Sequence, residues 1–479
     1  MNELHQINDN LWEIPKSGGM HVPGRIYASK ALMQKIHEGE SLKQVANVAH
    51  LPGIINFSLA MPDIHWGYGF PIGGVAATDA VSGVISPGGV GYDINCGVRL
   101  LRTSLSADFI RPKIKDLVTA LFQAVPSGVG SHGAIRKLSR HDVKTVLLKG
   151  AGWAIENGFG EAETLDFIED NGCLINADPD VVSERAYQRG MPQLGTLGSG
   201  NHFIEISKIS DIYDKSIANR LGLIKDNIVL FVHTGSRGLG YQVCDDFIKV
   251  TMQATRKYGI NVPDRQLACA PLESREGRDY LGAMRAAANF AFANRQVISA
   301  LVETAMLKSL NMNPNDLGMR LVWDIAHNIA KIETHNIDGK DRKVCVHRKG
   351  ATRAFGPGRP ELPPIYRDIG QPVLIPGDMG TESYLAVGTP KAMLETFGSS
   401  CHGAGRVLSR TQAKKQSRGR NLFGELAKAG IFVMAEGKTT MAEEMPDAYK
   451  DVTEVVNTMH NAGITKKVVR FTPMGVVKG

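Results

Sequence analysis

"VISPGGVGYDINCGVRLL", Val84 to Leu101, is an apolar run broken by a proline and several glycines, with one acid and one cysteine set into it. Short apolar blocks punctuated in this way read as strands and tight turns rather than long helices. Asp93 and Cys96 stand three apart inside the run. The bland interpretation is a turn aspartate and a small buried hydrophobe. The sharper one is a pair of metal ligands, with the surrounding glycines letting the backbone come close to whatever is bound.

The same texture occurs just upstream in "MPDIHWGYGFPIGGVAA" (61–77). Farther on, "ADFIRPKIKDLVTALFQAV" (107–125) has helical periodicity with a proline near its start. The acids scattered over 161–185 suggest a solvated surface excursion. "NIVLFVH" (227–233) is a buried-strand candidate that runs straight into the turn "TGSRGLG", and a long helix is expected over 279–308. Further strand candidates are "MRLVWDI" (319–325), "KVCVH" (343–347) and "QPVLI" (371–375). No proline- or serine-rich linker and no repeat interrupts the chain, and the glycine-rich motifs spread from residue 61 to 405. The expected architecture is α+β: one large mixed domain over 1–479, with β-sheets flanked by helices.

Bulk composition narrows the function classes. With 479 residues, 43% hydrophobic and 22% charged, the chain is an ordinary soluble globular sequence. A net charge of +7 fits a polyanionic partner such as nucleic acid or nucleotide. The six cysteines form no CxxC pair, as expected of a reduced, intracellular protein. "MNELHQINDN" is too polar for a secretory signal, and no apolar run approaches the roughly 20 residues that span a bilayer. The expectation is a cytoplasmic protein with no membrane partner.

Four histidines share similar surroundings: His202 in "GTLGSGNHFIE", His233 in "LFVHTGSRGLG", His327 in "VWDIAHNIAKIE" and His402 in "FGSSCHGAGRVLSR". A histidine at the end of a buried strand beside a turn is well placed to reach a site at a sheet edge. Any one of them alone reads as a packed core histidine; four together with Asp93 and Cys96 point to a site. Carboxylate, thiolate and imidazole suit a borderline transition metal rather than magnesium or calcium. A lone thiolate can bridge two ions, an arrangement suited to phosphoryl transfer. Ligand type leaves zinc, cobalt and manganese open.

His402 is expected at or just before a helix N-terminus, where the dipole keeps the ring neutral and the amides of Gly403, Ala404 and Gly405 are free for a phosphate. Arg406, Arg410 and Lys414 recur at i, i+4, i+8 and are expected on one helix face. "HRKGATRAFGPGR" (347–359), with Arg348 and Lys349, is a second basic stretch without acids. "AEGKTT" (435–440) lacks the glycine spacing of a P-loop, and no Lys-x-Asp-Gly element of lysine nucleotidyltransferases is present. If a nucleotide is held covalently, His402 is the best candidate nucleophile.

With these residues assembled, the chain resembles the RtcB family of RNA ligases. The resemblance rests on "MPDIHWGYGFPIGG", "GGVGYDINCGVR", "GSGNHF", "VHTGSRGLG", "AHNIAKIE", "HRKGATRAF", "PGDMGTESY", "SCHGAGR" and "GVVKG". It implies an enzyme that joins RNA 3′-phosphate or 2′,3′-cyclic-phosphate ends to 5′-hydroxyl ends in tRNA splicing or RNA repair. It also implies two Mn²⁺ ions, one on Asp93, Cys96 and His202, the other on Cys96, His233 and His327. GTP would lie against Asn201, His202, Phe203, Ile204 and Glu205, and against His327 and Asn328. Pro376, Gly377, Asp378, Met379, Ser383, the His402–Gly405 loop and Lys478 would complete that site. His402 would carry GMP. Asp63, His65, Arg237, Arg348, Lys349, Arg406 and Arg410 would meet RNA or phosphate. Family members often read Pro-Gly-Ser-Met where this chain has "PGDM", so Asp378 departs from the pattern while still offering an acceptor. The implied partners are RNA (tRNA halves or broken ends) and an archease-like activator, with the chain a monomer. Two rival readings share the same ligands or basic stretches: a two-metal phosphoesterase or nuclease using water, and a non-catalytic RNA-binding factor.

Overall fold

The computed structural model describes residues 4–37 and 39–479, so the first three residues of the polar N-terminal segment lie outside it. Two large sheets organise the chain. The first runs His5–Asn8, Leu11–Ile14, Gly24–Tyr27, Ile54–His65, Ile72–Asp79, Lys340–Lys349, Asn328–Ile337 in spatial order. The second runs Arg320–Ala326, Gly97–Ser106, Asn227–Thr234, Phe203–Ile212, Thr465–Lys478, Ser383–Gly388, Pro372–Ile375, with Phe432–Ala435 added parallel to Thr465–Lys478. Only His327 separates Arg320–Ala326 of the second sheet from Asn328–Ile337 of the first, so the sheets meet there. The result is the expected mixed α/β architecture with helices packed on sheets.

The Asn227–Thr234 strand shows why its sequence is apolar throughout. Its side chains alternate between two cores, with Val229 and Phe231 in one and Ile228, Leu230 and Val232 in the other. Both faces are covered, so no polar alternation survives. The helix Arg275–Leu310 covers the second face, sending Phe292, Ile298 and Val302 into the core with Leu230 and Val232. It begins earlier than its apolar period suggests because the Ser274 side chain accepts from the Gly277 N–H and caps it. In the expected helix at 107–125, Pro112 falls in a short 3₁₀ turn, and the regular helix is Ile114–Ala124.

The acidic stretch 161–185 is not all surface. Glu169 is fully buried, bonded by Lys331 and with Arg353 at 3.1 Å. Carboxylates read as solvated instead neutralise cations that would otherwise be buried alone. No helix of the described residues is long and apolar enough to cross a membrane.

The most demanding buried charges are Arg99, Arg295 and Asp324, all fully buried. Asp324 receives Arg99 Nε at 2.7 Å and Arg295 Nε at 2.9 Å. Burying three charges is tolerable only while all are paired. Asp324→Ala, which strands two guanidiniums, is expected to cost about 3–5 kcal/mol in a denaturant titration. Breaking the exposed Arg140–Glu184 pair in the same assay is expected to leave the midpoint close to that of the parent.

Candidate active site

Antiparallel pairing brings four strand ends to one edge of the second sheet. Gly97–Ser106 begins there opposite the end of Asn227–Thr234, with Val98 facing His233. Phe203–Ile212 begins there, with Phe203 facing His233, and Arg320–Ala326 ends there, with Ala326 facing Gly97. Cys96, His233, His202 and His327 sit at or next to those ends. The topology therefore delivers residues far apart in sequence to one point.

The cysteine Sγ lies 3.4 Å from His202 Nε2 and 3.3 Å from His233 Nε2. His233 Nε2 is 3.3 Å from His327 Nε2, and His202 Nε2 is 2.9 Å from Asp93 Oδ2. Asp93, Cys96 and His202 form one compact donor triad, and Cys96, His233 and His327 form another. Their chemistry fits cations. His202 Nδ1 donates to the Leu197 carbonyl at 3.0 Å, which turns Nε2 towards Asp93 and Cys96. A proton or a bound cation between Nε2 and the carboxylate satisfies both. Burial drives the His233 and His327 rings well below their ordinary pKa, keeping them neutral and ligand-competent. Burial, with Asp93 beside it, pushes the Cys96 thiol up; a bound cation reverses that balance and favours the thiolate.

The loop before Cys96 is anchored from below. Asn95 has φ of 51°, a left-handed conformation that asparagine tolerates, and its amide reaches the Ala288 carbonyl at 2.7 Å. Arg295 donates to the Asn95 carbonyl at 2.8 Å and the Thr234 carbonyl at 3.1 Å. Gly97 is small for this reason: a Cβ there would lie 3.1 Å from the Arg295 guanidinium carbon and 2.4 Å from the Ile325 carbonyl oxygen. Gly97 therefore serves packing against the protein rather than approach to a ligand. Gly91, which lines the cavity at φ of 99°, fits the original expectation better.

A cavity of about 740 Å³ opens over the cluster, with Asp93, Cys96, His233, His327 and His402 in its wall. His402 follows the short strand Ser399–Cys401, and the next helix, Arg410–Gln416, begins only after a Ser409 cap. The expected helix N-terminus at His402 is thus corrected. Its ring is set by Asp63 instead: Nδ1 is 2.6 Å from Asp63 Oδ2, which also accepts the backbone N–H of His402 at 3.0 Å. Burial pushes the Asp63 carboxyl up, but the His402 charge and hydrogen bonds hold it below the usual carboxylate range. When the ring is neutral, a carboxylate accepting from Nδ1–H places the lone pair on Nε2.

Of the residues expected around GTP, Asn201, Phe203, Glu205, Asn328, Pro376, Gly377, Asp378, Met379, Gly403, Ala404, Gly405 and Lys478 line the cavity. The Lys478 ammonium lies 5.4 Å from the Phe203 ring centroid. Ile204 does not line it: strand alternation turns this side chain into the opposite core. Ser383 lies behind the wall, donating to Glu205 at 3.3 Å. Asp378 spends its carboxylate locally on the Gly380 N–H at 2.8 Å and the Thr381 hydroxyl at 2.9 Å.

The residues expected to meet phosphate divide between buried positions and the cavity wall. Asp63 is fully buried and committed to His402, so it does not line an RNA pocket. Arg348 is also fully buried, bonded to Glu333 at 2.6 Å and to the Phe397 carbonyl at 2.8 Å. Arg353 is buried against Glu169, so "HRKGATRAFGPGR" is largely structural. Arg237 turns to Thr196 Oγ1 at 3.2 Å and is absent from the cavity wall. His65, Lys349, Arg406 and Arg410 do line the cavity. Arg406 precedes the helix that carries Arg410 and Lys414, so the three do not form one continuous helical stripe. Glu444, fully buried, orders them by accepting Arg406 at 3.0 Å and Arg410 at 3.3 Å. Glu444, Tyr449 and the exposed Trp66 were missed by sequence reasoning. Only Trp66 had a usable signal, an aromatic beside His65 in a glycine-rich turn.

Comparison with known proteins finds matches along nearly the whole chain. Residues 44–479 match the family model described as tRNA-splicing ligase RtcB. A protein named tRNA-splicing ligase RtcB from Archaeoglobus fulgidus is 54% identical over 478 residues, covering 99% of both chains. Proteins of the same name from Thermococcus kodakarensis and Aeropyrum pernix are 54% and 49% identical, covering 99% or more of each chain.

Glu205 supplies a test of the cavity floor. Burial raises its carboxyl to about 7, above its ordinary 4.5. Its contribution to stability is then full below the unfolded value and is lost as pH rises through about 7. In Glu205→Gln, the fall in denaturation midpoint between about pH 5 and 8 should be smaller than in the parent. An identical fall in both proteins would rule this carboxyl out as its source.

Proposed function

The chain belongs to the RtcB family of tRNA-splicing ligases and is an RNA ligase, and we propose that it seals RNA 3′-phosphate or 2′,3′-cyclic-phosphate ends to 5′-hydroxyl ends through GMP held on His402. The observation that carries this reading is the Asp63–His402 contact at 2.6 Å, beside the two donor triads in one cavity wall. It supports an imidazole whose Nε2 is a nucleophile and whose positive charge after attack is stabilised by the carboxylate.

In this reading His402 Nε2 attacks the α-phosphorus of GTP, the α–β bridging bond breaks, and pyrophosphate leaves. An oxygen of the RNA 3′-phosphate then attacks the GMP phosphorus, freeing His402 and forming an RNA-pp-G end. The RNA 5′-hydroxyl attacks the RNA-side phosphorus, loses its proton, and expels GMP. A cyclic phosphate is first opened by hydrolysis. Asp93, Cys96 and His202 would hold one Mn²⁺, and Cys96, His233 and His327 a second, supplying neutralisation of phosphoryl charge. Glu205 and Lys478, an acceptor and a donor in the same wall, suit the hydrogen-bonding edge of guanine. Arg406 and Arg410 would meet phosphates. A shallow depression bounded by Lys414, Lys415, Arg418 and Lys438 continues the cationic surface outward and supports an RNA track. The cellular RNA source (tRNA halves or damaged ends), an archease-like activator, a monomeric state and a cytoplasmic location come from the resemblance and remain part of the proposal.

Incubation with α-labelled GTP and Mn²⁺ should leave label on the parent chain and none on His402→Ala. An unlabelled parent would sink the covalent mechanism and favour a two-metal phosphoesterase. Equilibrium titration with Mn²⁺ should give two ions for the parent. Cys96→Ala should weaken both sites, whereas Asp93→Ala should weaken one, each by about tenfold or more.

A further inference from the structure

Asp63 lies in a part of the Ile54–His65 strand that has left its ladder. Against Ile72–Asp79 the register jumps from Ala60 opposite Gly74 to His65 opposite Ile72. On the other side, pairing with Gly24–Tyr27 stops at Ala60 opposite Ile26. The intervening residues bulge, which re-aims Asp63 and leaves buried carbonyls without a strand partner. Such carbonyls need a donor from elsewhere.

One side chain meets two of them. Lys450 Nζ donates to the Pro62 carbonyl at 2.9 Å and to the Ile64 carbonyl, the two that flank Asp63. The backbone N–H of Lys450 donates to the Gly405 carbonyl at 2.9 Å. Gly405, at φ of 72°, sits so close to the bulge that a Cβ would lie 2.1 Å from the Asp63 carbonyl oxygen. Lys450 thus binds the segment carrying Asp63 and the loop carrying His402 at once. It is 4% exposed, and a lysine is rarely retained at such burial without a demanding role. Asp63 Oδ1 has no hydrogen-bond partner, so donors on that oxygen do not fix the rotation of the carboxylate. Its other oxygen is held by the His402 ring and by the His402 and Gly403 N–H groups, so placing the carboxylate against that loop falls to the backbone on either side.

We propose that Lys450 is a positioning residue for GMP transfer to His402. It takes the place of the missing strand partner and holds the Asp63 bulge against the His402–Gly405 loop. The inference rests on the reading of His402 as nucleophile.

Lys450→Met keeps the length of the stem and removes the donors. Three measurements on the full chain decide the matter: single-turnover labelling from α-labelled GTP, equilibrium GTP binding without turnover, and the melting midpoint. Labelling should slow by about 10- to 100-fold, the range for partners that orient a functional ligand. GTP affinity should stay within about twofold, because a positioning role separates binding from chemistry. In an Asp63→Asn background the same change should cost less than about threefold, since residues acting through one group are not additive. Parent-like labelling, or a full multiplicative loss in the double variant, overturns the proposal. Lys450→Gln guards against misfolding of the methionine variant. Slowed labelling at a parent-like melting midpoint supports the role, and an unchanged rate overturns it. If the parent itself takes no label, the reading of His402 fails, and this inference with it.

Discussion

The guanidinium of Arg295, sealed beneath the cluster, is the contact on which the rest of the site depends. It is paired with Asp324 on one strand and hydrogen-bonded to the Asn95 and Thr234 carbonyls, immediately before Cys96 and after His233. The cluster brings a carboxylate, a cysteine sulfur and three imidazoles, several of them buried, within reach of one another. Something underneath must hold the backbone while those side chains face one another. A planar group with fixed donors does this better than a flexible ammonium. Arg99, sharing Asp324, extends the same support to the interior of the Gly97–Ser106 strand.

Two design elements follow from that base. Antiparallel order puts alternate strand starts and strand ends on one edge, so ligands arrive in pairs from chain segments of opposite direction. Local hydrogen bonds then choose the tautomers. The Leu197 carbonyl directs His202 and the Asp63 carboxylate directs His402. In both cases the protein engages Nδ1 and so sets the orientation of the ring. The first sheet contributes the Asp63 segment and Lys349, the second the ligand ends and Lys478, and the cavity lies where they meet.

The legible part of the site was the part in which sequence position predicts placement. His233 ends an unbroken apolar strand, and Cys96 opens another, so polar residues there had few roles beyond a sheet-edge site. The fold class was readable for the same reason, since strands covered on both faces are apolar along their whole length. The basic stretches misled because charge is visible in sequence while its partner is not. Arg348 and Arg353 look like phosphate grips until Glu333 and Glu169 arrive from distant segments. Asp63 was placed near the right chemistry but in the wrong role, since nothing local shows that it faces His402. Glu444 and Lys450 left no trace: one answers arginines from another segment, and the other binds backbone carbonyls, which any sequence has. Ile204 was named as part of a continuous run, whereas the strand sends its side chain to the opposite core.

The Thr465–Lys478 strand is paired on one side with Phe203–Ile212 and on the other with Ser383–Gly388. Chain made earlier therefore contains every donor of the cluster but not the wall bearing Lys478. During vector synthesis from the N-terminus, the sheet must wait with a gap at its centre for a segment that emerges late. The cavity wall that includes Lys478 cannot close until that strand is in place. The wall bearing Lys478 is thus the last part of the second sheet to be supplied.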